Sequence, residues 1–88
     1  MKYPIEITAT GQISTVALWP CSVLLTAGDG ADSTLTLYNG TSTGSPVFAS
    51  VKTLQKTSFA HVFSESGVDT SSIYAVLSGT GAKAYLYY

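Results

Sequence analysis

The chain has 88 residues, enough for one compact domain over 1–88 and too few for two. Only 10% of it is charged, against about 25% in a typical soluble domain, while 45% is hydrophobic. Four lysines, no arginine, three Asp and two Glu leave a net charge of −1, which excludes the positive stripe of a nucleic-acid binder.

Turn-forming residues punctuate the sequence at intervals of roughly ten residues, the spacing of an all-β sandwich or barrel. They are Gly11, Pro20, Gly28-Asp29-Gly30, Asn39-Gly40, Gly44-Ser45-Pro46, Gly67 and Gly79-Thr80-Gly81. No helix-period stretch survives between them, and no internal repeat or charge run marks a domain boundary. About eight short strands are expected.

The first, Tyr3 to Thr8, sets Tyr3, Ile5 and Ile7 on one face and Glu6 and Thr8 on the other. It falls within "MKYPIEITATG", where Pro4 and Glu6 stand in place of the apolar core of a signal peptide. The second strand is expected over Ile13 to Leu18 and ends at Trp19-Pro20. Cys21, the single cysteine, permits no intrachain disulfide and reads as a small buried hydrophobe, which suits assembly in a reducing cell. The third strand spans Ser22 to Thr26. The "GDGAD" loop after it places Asp29 and Asp32 in a solvated turn, with fewer oxygen ligands than calcium usually requires.

Thr34 to Tyr38 follows, with Leu35 and Leu37 in the core and Thr34 and Thr36 opposite. Asn39-Gly40 is a preferred pair for tight turns, yet the next strand, Val47 to Thr53, waits until after Pro46. The link therefore reads as a longer loop carrying one turn, of the sort that joins strands across or between two sheets. Ser58 to Phe63, Ser72 to Leu77 and Lys83 to Tyr88 complete the set. In the last strand Ala82, Ala84, Leu86 and Tyr88 share one face, and Lys83, Tyr85 and Tyr87 the other. A strand apolar on both sides is central in a two-layer packing or offers aromatic surface to a partner.

Reactive chemistry is sparse. His61, the single histidine, shares a strand face with Phe59 and Phe63 and reads as packed or interfacial, since no orienting partner or metal-ligand spacing accompanies it. Five scattered acids do not make a carboxylate pair, and Ser64 and Ser66 lack a nucleophile-elbow setting. No enzyme activity and no cofactor are expected. Asn39-Gly40-Thr41 fits a glycosylation acceptor formally, and a turn explains it as well. No stretch approaches the ~20 apolar residues of a membrane-spanning helix. What remains is a nearly neutral surface, rich in Ser and Thr, with little repulsion to keep protein neighbours away.

The order of segments "WPCSVLLTAG", "STLTLYNGTSTGSPV", a Phe-bearing strand, a Gly-marked turn and "IYAVLSGTGAKAYLYY" resembles the small all-β virion proteins of tailed bacteriophages. In those an apolar strand precedes a "tvtlyDGtsasG" turn and the chain closes on a "sGtgxvtvxY" strand. The resemblance covers about three quarters of the chain. Asn39 stands where the pattern more often has Asp, and the segment from Phe63 to Ser72 lacks the usual "GL" entry to the next strand.

The resemblance implies a two-layer antiparallel β-sandwich, jelly-roll-like, made in the host cytoplasm and mounted on the virion capsid surface. It further implies a capsid decoration or cement protein whose partner is the major capsid protein and which self-associates as a homotrimer. A tail, neck or fibre-associated component and a carbohydrate-binding module are the alternatives, the latter stacking sugars on tyrosines and Trp19. Trp19, His61, Tyr85 and Tyr87 are the candidate interface residues. Alternation tells which residues share a face and leaves open which face looks outward.

Overall fold

Strands form where leucine, β-branched and aromatic residues alternate with Ser and Thr, because such side chains pack well on a pleated surface. They stop where glycine or proline admits a turn. In a computed structural model, which describes residues 4–88, this pattern yields eight strands and no helix among the described residues. The strands are β1 (Pro4–Ile7), β2 (Gly11–Ser14), β3 (Ser22–Thr26), β4 (Ser33–Asn39), β5 (Val47–Thr53), β6 (Ser58–Val62), β7 (Ile73–Ser78) and β8 (Lys83–Tyr87).

Two four-stranded antiparallel sheets result. Sheet A has the order β1-β8-β3-β6, and sheet B the order β2-β7-β4-β5. The pairs β4–β5, β3–β6, β2–β7 and β1–β8 are those of one long antiparallel ribbon. Rolling that ribbon adds the contacts β8–β3 and β7–β4. This is the strand order of a jelly roll, a double-sheet solution to the problem of exposed edges. The all-β, two-layer sandwich expected from the sequence is present.

The core lies between the sheets. Sheet A contributes Ile7, Val23, Leu25 and Leu86, and sheet B contributes Leu35, Leu37 and Ile73, all essentially without exposure. Burying each such side chain contributes about 1.5–3 kcal/mol. Leu35 and Leu37 are core as alternation predicts, and β8 is a central strand with Ala84 and Leu86 inward.

Three expectations need correction or restriction. The second strand lies at Gly11–Ser14 and not over Ile13 to Leu18: the Ser14 hydroxyl bonds the Val16 backbone, closing a turn, and Leu18 makes only an isolated bridge to Thr70. The Asn39-Gly40 loop joins β4 and β5 as neighbours in sheet B, closed by the Asn39 N–H on the Pro46 carbonyl at 2.8 Å. It is the one link that does not pass between sheets, because it is the fold point of the ribbon. Tyr3 lies outside the described residues.

Candidate functional site

Residues paired directly across antiparallel strands share a sheet face, so register assembles the outer surface of sheet A row by row. One row runs Glu6, Tyr85, Leu24, Ala60; the next runs Pro4, Tyr87, Ser22, Val62. A third row holds Lys83, Thr26 and Ser58. Glu6 and Lys83 are the charges in these rows, and they neutralise each other at 3.5 Å, with the Tyr85 hydroxyl also donating to Glu6 Oε2 at 3.0 Å. The middle of the face is therefore apolar and aromatic. Sheet B turns Thr34, Thr36, Ser50, Lys52 and Ser78 outward, with Tyr38 and Tyr74 meeting edge-on at 6.4 Å in one row of the same face.

The interior side of β6 is different again. Phe59 and His61 pair with Leu25 and Val23, so they face the space between the sheets, yet every residue of β6 is exposed. The strand overhangs the core. Its rings form a file: Phe59 stacks on His61 at 6.2 Å, His61 lies 6.1 Å from Phe63, and Phe63 meets Phe48 edge-on at 5.7 Å. Phe48 reaches inward because β5 carries a bulge there, with Ala49 opposite Leu37 and Val47 opposite Tyr38.

The four residues singled out from sequence do not form one site. Tyr85 and Tyr87 come together on the outer face, half-buried beside Leu24. His61 is on the opposite side of the same sheet. Trp19 is 54% exposed at the entry to β3, on a segment held by the Val68 N–H bond to the Pro20 carbonyl and by Thr70 Oγ1 donating to the Leu18 carbonyl at 2.9 Å. Sequence reading missed Phe59, Val62 and Leu54, which are 46%, 56% and 63% exposed. An uncharged "SFAHV" was the available signal, but alternation alone does not mark a strand as an edge.

Elsewhere side chains serve the frame. Asn39 Oδ1 accepts from the Ser71 N–H and its amide donates to the Asp69 carbonyl, a pairing that Asp could not reproduce. Asp32 accepts the Gln55 N–H at 2.9 Å, tying two turns together. Cys21 is buried, as expected of a small hydrophobe. No group of three or more His, Cys, Asp or Glu gathers among the described residues.

Set against known proteins, the chain matches no family model, no curated protein and no solved structure. Fold and surface define it as a class: an eight-stranded antiparallel β-sandwich with Tyr85, Tyr87 and Leu24 together on the outer face of sheet A.

Proposed function

We propose that this protein is a structural virion protein of a tailed bacteriophage, a decoration or cement protein that binds the capsid exterior through the outer face of sheet A. The observation that carries the docking is the uncharged centre of that face, where Tyr85, Leu24 and Ala60 form one row and Tyr87, Ser22 and Val62 the next. Aromatic side chains supply large rigid contact area at low entropic cost, and no unpaired charge has to be desolvated. The choice of the major capsid protein as partner rests on the likeness of the strand and turn segments to phage virion proteins.

Size constrains the mechanism. Four strands ~4.8 Å apart and about five residues long present a patch of roughly 15 by 15 Å. A standard interface takes about 800 Å² from each partner, so one sheet face alone binds weakly. Self-association and binding to a repeating lattice overcome that, because each further foot docks at high effective concentration. Binding the assembled lattice in preference to free subunits stabilises the shell by mass action.

The test is to add the purified protein to shells of the encoding phage that lack it, sediment them, and record the shell melting temperature. Co-sedimentation with a raised melting temperature supports the reading. A protein that stays in the supernatant and leaves the melting curve in place refutes it.

A further inference from the structure

We infer that β6 is a self-pairing edge, and that two copies of the chain join there into a twofold dimer with a continuous sheet A. The four sheet edges are not alike. β1 has four residues, opens on Pro4 and carries Glu6; β2 has four residues and its register slips between Gln12 and Ser14; β5 carries the Phe48 bulge and Lys52. Short strands, proline, bulges and charges are the devices that keep edges from pairing with other chains. β6 has none of them: five regular, uncharged residues, all exposed, with no register shift against β3.

Its free hydrogen-bonding groups have a definite phase. The Phe63 N–H bonds the Cys21 carbonyl at 3.0 Å, and the unbroken register carries that alternation down the strand. Phe59 and His61 therefore direct their backbone groups to Leu25 and Val23. The N–H and C=O groups of Ser58, Ala60 and Val62 point away from the sheet.

A second β6 satisfies them in one antiparallel register centred on Ala60. Ala60 then faces the second copy's Ala60, and Ser58 faces its Val62, as hydrogen-bonded pairs. Phe59 faces the second copy's His61 in the closer, non-hydrogen-bonded position. The ring file left uncovered at Phe59 in one chain is thus flanked by the file of the other, and aromatic cross-strand pairs of this kind stabilise sheets. The contact is isologous and closes at two copies, unlike the head-to-tail contact a trimer requires. It stands independently of any capsid partner.

Sedimentation equilibrium across a dilution series tests this, with hydrogen exchange locating the contact. The wild-type chain is expected at twice its 9.2 kDa monomer mass, with the Ala60 and Val62 amides protected. A60K and A60E each set like charges face to face across the axis, so each alone halves the mass and releases the Val62 amide. An equimolar mixture of the two restores the dimer. A60P removes an outward N–H without touching the β3 ladder, so it gives a folded monomer even where a charged variant does not fold. A wild-type monomer or trimer throughout the series, or a dimer whose mass all three variants leave unchanged, overturns the inference.

Discussion

The hydroxyl of Tyr85 on β8 donates to Glu6 Oε2 on β1 at 3.0 Å, and Lys83 Nζ lies 3.5 Å from the same oxygen. One carboxylate thereby ties the edge strand β1 to a central strand, at the margin of the apolar face. Both charged side chains are about half exposed, so water screens the ion pair and it contributes little. Tyr85→Phe is expected to cost no more than about 1 kcal/mol. For a domain of this size that corresponds to a melting point lower by at most ~4–8 °C in a thermal scan.

Leu37 has no exposed surface, whereas Leu54 is 63% exposed in the turn before β6. Leu37→Ala removes contacts from the centre of the sandwich and is expected to cost about 2–5 kcal/mol. Against a total of roughly 4–13 kcal/mol for 88 residues, that is a large share. Leu54→Ala is expected to stay within about 0.5 kcal/mol. Urea denaturation of the two variants side by side measures the contrast.

Gly67 adopts φ +95°, and a methyl group there would lie 2.6 Å from Trp19 Cβ and 2.7 Å from the Trp19 carbonyl oxygen. Both the backbone conformation and the space require glycine. Gly67→Ala is expected to destabilise by more than about 1 kcal/mol and to displace the Trp19 segment. Since Trp19 is the single tryptophan, its emission spectrum reports the displacement directly.

Ser33 Oγ is the one buried side-chain polar atom without a hydrogen-bond partner among the described residues. A buried unsatisfied hydroxyl costs free energy, and its removal leaves a small methyl in a tight site. Ser33→Ala is expected to leave stability unchanged or raise it by up to about 1 kcal/mol, read from the denaturation midpoint at constant slope.

Leu24 sits between Tyr85 and Ala60 in the middle of the outer face of sheet A. A lysine there can reach water in the free protein, so Leu24→Lys is expected to fold as the wild type. In the docked state proposed for this face its charge would be buried without a partner. Shell affinity is then expected to fall at least tenfold, about 1.4 kcal/mol, in the sedimentation assay.

Much of this architecture could be read from local order along the chain. Strand number, the inward leucines of β4, and the pairing of Ala84 with Leu86 against Tyr85 with Tyr87 follow from a period of two and from regularly spaced turn formers, both of which act over a few residues. The limits of β2 could not be read, because apolar residues run on through Val16 and Leu18 while a serine hydroxyl closes the turn. Nor could the Asn39-Gly40 loop be placed within one sheet, since its composition suits either kind of link.

Position within the sheets was decided only by the rolled ribbon. Phe59, His61 and Phe63 share a face in any strand built from "SFAHVF". That the face looks inward, yet lies open, depends on β6 pairing with β3 far away in the chain and having no strand on its other side. Tyr85 likewise owes its neighbour Leu24, and Tyr87 its neighbour Ser22, to long-range register. Local sequence specifies which side chains travel together; hydrogen bonding between distant strands specifies what they meet.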